Sequence, residues 1–347
     1  MRYAPLAVAI CMVAHQGPGR SAAQAPPRQV ESAVEQYLRR IGLRTTQLDS
    51  VARGQVVVHS LPGGTDRDVA VVGVVRVTDD SEVVRTRALD VQGLLAASGK
   101  RFGLLSDPAT DADVLGASLD DSEYQSLRDC HPGDCDFKLP AEAMRSFLDR
   151  VDWSGPTAKA QADSLVRAGL LRLAADYRAR GNAATPPFDD LRGVRSGEVF
   201  EALLDDSPLV YEYAPELQRY LVTYPSRRPQ GVRELLYWSE DRLPRLRPLL
   251  TLNHVVIYSP SPSTALLARK QLYASHYLEG AFELLAVVDT RAGADSGATY
   301  LLALRRFRFD NLPGGPANVR GRVLSQLVEA TRADLLRLAD GSRPPPS

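Results

Sequence analysis

The stretch Leu249–Pro260, LLTLNHVVIYSP, and its successor Leu266–Gly280, LLARKQLYASHYLEG, decide the fold. Both are rich in β-branched, aromatic and aliphatic residues and bounded by Pro, Ser or Gly, the pattern of strands on a half-buried pleated surface. Glu283–Asp289 and Thr299–Asp310 repeat it. Pro316–Ala339 changes period. Val319, Val323, Leu327, Val328, Leu335 and Leu338 fall on one side of a helix, with Arg320, Arg322, Glu329, Arg332 and Asp334 on the other. A helix with one apolar stripe must bury it, and the antiparallel sheet preceding it is the natural partner. Upstream, Gln55–Leu61 and Asp68–Thr78 are valine-rich strands joined by a turn at Pro62-Gly63-Gly64-Thr65. The expected fold class is α+β: an antiparallel sheet packed on a long C-terminal helix, with a helical middle segment.

That middle covers about Pro140 to Tyr224. Pro140–Val151, Pro156–Arg180, Ser196–Leu204 (with Ser196 as cap) and a turn plus short helix over Pro208–Tyr220 read as helical. Gln29–Ile41, Leu89–Ala97 and Ser122–Asp129, capped by Asp121 or Ser122, are further helices. Arg101–Leu105, Asp136–Leu139 and Glu234–Glu240 are short strands. The chain therefore divides into a leader at residues 1–23, one α+β domain at residues 24–341 with a helical insertion at about 140–224, and a Pro-rich disordered tail, Ser342–Ser347.

Residues 1–23 have the form of an export signal. Arg2 gives a positive start, Leu6–Ala14 is apolar, and Ser21-Ala22-Ala23 offers small residues before a cut at Gln24. A cut after Ala25 is the alternative, although Pro26 would then follow it. The apolar run is shorter than the roughly 20 residues a membrane-spanning helix needs, and no later segment is longer and as apolar. The expected location is periplasmic or secreted. With 42 basic and 42 acidic residues the chain is near neutral, which offers no electrostatic case for nucleic acid or an anionic membrane.

Beyond Cys11 in the leader, two cysteines remain, in Cys130-His131-Pro132-Gly133-Asp134-Cys135. Pro-Gly is a turn pair, and a turn brings the two Cα atoms to disulfide distance, about 5.5 Å. An even count of cysteines in an exported chain favours that staple. Two alternatives stay open: metal binding by Cys130, His131 and Cys135, which lacks a fourth ligand at zinc spacing, and a redox-active pair.

Cys130, Pro132, Gly133, Asp134, Cys135, Lys138 and Leu139 form a block that resembles a segment of uncharacterised exported bacterial proteins, and the resemblance extends to Tyr273-Ala274-Ser275-His276-Tyr277. It implies a family without an activity. The order of elements, early strands, helices, long strands and a long last helix, resembles the helix-grip arrangement of START-like lipid-transfer domains. That resemblance implies a curved sheet around the final helix with a cavity between them.

No His-Glu-x-x-His pair, Gly-x-Ser-x-Gly elbow or phosphate-binding glycine loop is present. Nine acidic residues from Asp107 to Asp136 do not fit a calcium loop, since Leu115 falls where an oxygen ligand is needed and Ser122 where a Glu is needed. They read as a solvated face or as partners of Arg227, Arg228, Arg305, Arg306 and Arg308. No cofactor or metal is implied. Strand alternation places Tyr273, Ser275, Tyr277 and Glu279 in one row, a ligand-binding candidate if that face lines the cavity; alternation alone does not decide which face is inward. The expected function is non-catalytic binding of an apolar or amphipathic ligand, a small molecule or lipid, in a sheet–helix cavity. The rivals are a hydrolase-type enzyme assembled from distant residues, with His254, His276, Tyr277 and Glu279 as first candidates, and a structural protein of the cell envelope.

Overall fold

The computed structural model describes residues 33–190, 193–241, 247–291, 297–312 and 318–341. The expected leader and tail lie outside these residues. The chain begins with α1 (Ala33–Arg40) and α2 (Thr45–Ala52), then the hairpin β1 (Val57–Leu61) and β2 (Asp68–Val77). α3 (Ser81–Leu89), α4 (Val91–Ala97), β3 (Arg101–Leu105), α5 (Asp111–Val114) and α6 (Asp121–Arg128) follow. The helical middle comprises α7 (Ala141–Arg150), α8 (Ala158–Arg180), α9 (Ser196–Asp205), α10 (Pro208–Tyr213) and α11 (Pro215–Thr223). It also holds a 3-10 turn at Gly181–Ala184 and the two-residue strands β4 (Pro187–Phe188) and β5 (Val194–Arg195). The chain then returns to strands, β6 (Arg233–Asp241), β7 (Leu249–Ser261), β8 (Thr264–Ala274), β9 (Leu278–Asp289) and β10 (Thr299–Phe309), before α12 (Val319–Asp340).

Eight strands form one antiparallel sheet in the order β1-β2-β10-β9-β8-β7-β6-β3. The early hairpin extends the late meander through β2, with Leu302 opposite Val74 and Val287 opposite Leu301. Both faces are covered. Odd-numbered residues of β2, β9 and β10, such as Val75, Val287 and Leu301, pack under α3 and α12, while Val255, Ile257 and Leu267 pack under α4. Even-numbered residues, such as Val74, Leu252, Phe282, Leu284 and Leu302, face α1, α2 and α8 to α11. A strand buried on both faces needs apolar residues at both parities, which is why β7 to β10 read as nearly continuous hydrophobic runs.

Two glycines set how closely the helices sit. A Cβ on Gly73 would lie 2.6 Å from Leu335 and 2.8 Å from Thr331, so α12 rests directly on β2 there. A Cβ on Gly280 would lie 2.7 Å from Val199, so α9 rests on β9. α12 starts at Asn318, whose side chain accepts from the Gly321 N–H, and stops at Gly341, in the left-handed region with φ 63°.

Several expectations need correction. The strand expected over Leu266–Gly280 is two strands, with a bend at Ser275–Tyr277. Asp136–Leu139 is not a strand. The cap of α6 is Asp120, whose carboxylate accepts from the Glu123 N–H and competes better than Asp121 or Ser122 because it precedes the first turn. Ser196 is the first residue of α9 rather than its cap; its hydroxyl donates to the Leu272 carbonyl at 2.8 Å. Among the described residues no helix is long and apolar enough to cross a membrane.

Candidate functional site

The two segments singled out in the sequence, the stapled hexapeptide and Tyr273–Tyr277, meet. Cys130 and Cys135 are joined in a disulfide with their Cα atoms 4.5 Å apart, so neither offers a thiolate to a metal. Inside the loop His131 and Asp134 exchange backbone hydrogen bonds of 3.1 and 3.0 Å, and Gly133, at φ 85°, donates its N–H to the Asp189 carbonyl at 2.7 Å. The chain leaving the staple lies along the β8–β9 bend. The Lys138 N–H donates to the Ser275 carbonyl at 3.0 Å, and Phe137 meets the His276 ring edge-on at 4.5 Å.

His276 is the centre of this junction. Its Nδ1 is 2.6 Å from the Asp136 carbonyl oxygen. A carbonyl only accepts, so Nδ1 carries the hydrogen. Nε2 then points at Glu123 Oε1, 3.4 Å away, with both side chains nearly sealed from solvent. Lys138 Nζ lies between Asp190 (3.2 Å) and Asp310 (2.5 Å). Arg247 closes the outer side: one guanidinium nitrogen is 2.9 Å from Asp136, and its backbone N–H donates to the Tyr277 hydroxyl at 2.9 Å.

The predicted row is not a row. Tyr273 is the next-to-last residue of β8, set edge-on to Phe188 at 5.8 Å; burial, with Glu123 and Asp190 nearby, pushes its hydroxyl pKa up. Ser275 is fully buried, its oxygen accepting from the Leu250 N–H at 3.0 Å. Tyr277 turns the chain at φ 61°. Glu279 is buried on the next strand and ion-paired with Arg67. These four residues therefore share no single lining surface. Of the two readings of the acidic stretch, the solvated one fits Asp107, Asp121 and Asp136, which are largely exposed and pair with Arg178, Lys159 and Arg247 rather than with the arginines named. Arg228 meets Glu234, Arg305 meets Glu283 and Asp334, Arg306 donates to the Pro62 carbonyl, and Arg308 meets Asp68.

A second polar cluster lies on the even face of the sheet, under α8, α9 and α11. His254 of β7 and Lys270 of β8 are cross-strand partners. Tyr177 of α8 has its hydroxyl 2.9 Å from His254 Nδ1, and Glu234 of β6 lies 3.5 Å from Nε2. Glu234 also accepts from the Tyr220 hydroxyl at 2.5 Å. Burial holds His254 below its ordinary pKa, against the opposing pull of Glu234. A neutral ring that accepts at Nδ1 from the phenol carries its hydrogen on Nε2, toward the carboxylate. Glu234 is lowered: hydrogen bonds from His254 and Tyr220 outweigh its desolvation. Lys270 is fully buried with Nζ 4.2 Å from the Phe200 ring centre and 4.9 Å from that of Tyr177, and it donates to Asn182 Oδ1. The sequence named His254; Lys270 carried only the weaker signal of a cation inside an apolar strand.

Neither cluster presents a nucleophile. Ser275 has no solvent-facing hydroxyl, and His254, Lys270 and His276 are enclosed by packed side chains. Among the described residues no group of three or more His, Cys, Asp or Glu is placed to hold a metal ion. Among the described residues, two open hollows of about 500 Å³ each stand out. One is lined by Arg39, Arg40, Glu212 and Tyr213, where Arg40 is paired with Glu212 at 2.6 Å. The other lies between α11 and the end of β7, lined by Glu216, Arg219, Arg227, Gln230 and Tyr258. No family model matches the chain, and no curated protein or solved structure matches it.

Proposed function

We propose that this is an exported, non-catalytic binding protein whose ligand is amphipathic and carries an anionic head group. The observation that carries the reading is the hollow between α11 and β7, where Arg219 and Arg227 both line an open space of about 500 Å³. Among the described residues neither has a carboxylate partner. Guanidinium groups bind carboxylate or phosphate through paired, charge-assisted N–H donors. Pro229, Pro260 and the Tyr258 ring supply apolar surface beside them. A disulfide persists in oxidising compartments, which supports export alongside the leader-like residues 1–23. Burial of the His254 and His276 rings among packed side chains supports binding over catalysis.

The helix-grip resemblance enters this reading in modified form. Leu335 and Thr331 touch β2 at Gly73, so a ligand does not fit between α12 and the sheet at that point. An open hollow lies against α11 and the end of β7 instead.

Calorimetric titration with decyl phosphate below its critical micelle concentration, set against decyl maltoside, tests the head-group requirement. Binding of the phosphate alone is expected, weakened roughly tenfold or more by Arg219→Glu with Arg227→Glu, a loss of about 1.4 kcal/mol or more. Equal binding of both amphiphiles, or an affinity untouched by the double substitution, overturns the reading.

A further inference from the structure

The chain has four lysines, Lys100, Lys138, Lys159 and Lys270, among 42 basic residues. Lys100 pairs with Asp241, Lys138 with Asp190 and Asp310, and Lys159 with Asp121. Lys270 differs. It is the most deeply buried of the four, and among the described residues no carboxylate lies within ion-pair distance of its Nζ. Its one hydrogen-bond partner is Asn182 Oδ1. An arginine could not sit there without its charge, whereas an amine can give up its proton.

Asn182 is bonded on its other side as well. Its Nδ2 donates to Glu201 Oε1 at 2.9 Å and to the Val222 carbonyl at 3.3 Å. One amide therefore stands between a buried amine and a carboxylate, and the same amide fastens the turn after α8 to the last residues of α11. We infer that Lys270, Asn182 and Glu201 form a proton-operated clasp between the end of α8 and α11, closed when the amine is uncharged and released when it takes up a proton from solvent.

The chemistry follows from donor counting. An uncharged amine has two N–H donors, which Asn182 Oδ1 and a ring face can take up, and it carries no charge into the aromatic box. An ammonium has three N–H donors and a charge that burial penalises. Glu201 of α9 is the carboxylate that acts on it. To reach Glu201, the ammonium displaces Asn182, and the bond to Val222 is lost with it. The other groups facing the amine do not supply a counter-charge. β7 presents His254, held neutral by burial, α8 presents the protonated Tyr177 phenol, and β9 presents Phe282. Glu234 of β6 is engaged by His254 and Tyr220, and Arg178 of α8 adds only like charge. Burial lowers the Lys270 pKa from 10.5 to about 7, which places the change near neutrality.

Hydrogen exchange of the 181–185 and 222–224 amides, corrected for intrinsic rates, reads the clasp directly. Protection is expected to fall roughly tenfold between about pH 8.5 and pH 6 as the local structure opens. Lys270→Met should remove that dependence while leaving His254 in place. Unchanged protection across this range in the natural protein overturns the inference, and so does a dependence that survives Lys270→Met, which would assign it to His254. If Lys270→Met does not fold, the natural protein decides by NMR. With four lysines the Lys270 Cε signal is assignable, and it must titrate between about pH 6 and pH 9, well below the ordinary lysine range; a flat signal there refutes the clasp. None of these readouts depends on a ligand in the Arg219–Arg227 hollow.

Discussion

Two neighbouring patches, one on each face of the sheet, handle charge in opposite ways. On the α12 face, the odd positions carry Arg269, Glu283 and Arg305, and every charge is met. Glu283 pairs with Arg269 and with Arg305 (3.4 Å), and Arg305 continues to Asp334 of α12. Arg269 also donates to the Tyr237 hydroxyl at 2.9 Å. On the opposite face, one position along the same strands, Lys270 lies among aromatic rings with a single amide partner, and His254 is kept neutral. A one-residue step in β8 thus separates an ion network from an uncompensated amine. A buried charge is tolerable when paired, while an unpaired titratable group stays buried by giving up its charge.

The largest effects should come from the apolar layers that hold both arrangements. Phe282 and Leu335 are fully buried on the even and odd faces. Phe282→Ala should cost about 4 kcal/mol and Leu335→Ala about 3 kcal/mol in denaturant unfolding, as cavity-forming core truncations do. If Leu335→Ala cost under about 1 kcal/mol, the contact of α12 with Gly73 would not be the tight one described, since a well-packed leucine contributes more than that.

The comparison of charges breaks most sharply through paired substitutions of opposite sign. Glu283→Met removes the carboxylate shared by Arg269 and Arg305, leaving Arg269 the Tyr237 hydroxyl and Arg305 Asp334, and should destabilise by about 1–2 kcal/mol, less than for a fully buried pair because these guanidinium groups keep some solvent. Lys270→Met removes an amine with no counter-charge and should raise stability at pH 6, since replacing buried charge with well-packed apolar volume is often stabilising by about 1–4 kcal/mol. The gain should shrink toward pH 10. The folded amine, lowered to about 7, sheds its proton before the unfolded one near 10.5. Between those values the unfolded state binds more protons, so stability of the natural protein rises with pH and approaches that of the variant. Destabilisation by Lys270→Met at pH 6 would contradict this.

Much of the sheet was legible because period-two patterning and β-branched residues mark strands directly, as in β2 and β7. The bend between β8 and β9 was not. Tyr273-Ala274-Ser275-His276-Tyr277 contains no Gly or Pro, and the turn is made by Tyr277 at φ 61°, with its carbonyl held by the Asp310 N–H. That is tertiary support, which local sequence does not display. α3 was missed because Ser81–Leu89 shows no clear apolar stripe. The pairing of Tyr273–Tyr277 with the stapled segment joins residues more than 130 apart in sequence, and the box around Lys270 draws on α8, α9 and two strands. The sequence marks the residues of such sites and leaves their partners unstated.

Removing the staple should have a moderate effect. Cys130→Ser with Cys135→Ser releases a short loop, and the chain-entropy estimate for so few residues is about 2 kcal/mol. The staple also positions Asp136, Phe137 and Lys138 against His276 and Ser275. The doubly substituted protein should therefore lose amide protection first at 136–139 and 275–278, before the sheet opens. Uniform loss of protection across the sheet would show that the junction is not a separate unit.

The smallest effect concerns His254. Its folded pKa is lowered by burial, so below about pH 6.5 the unfolded chain binds a proton that the folded chain resists. Stability should fall with decreasing pH from there, until the folded pKa is passed. The contribution of Lys270, whose folded value is about 7, fades across that window as the amine becomes protonated in both states. His254→Phe should flatten the dependence between about pH 6.5 and pH 5, and a thermal unfolding series across those values measures it. The one carboxylate beside His254 Nε2, Glu234, is already shared with Tyr220 and Arg228. An unchanged slope in His254→Phe would show that the ring does not set the acid sensitivity, and the contrast between a patch that meets its charges and one that discharges them would then rest on Lys270 alone.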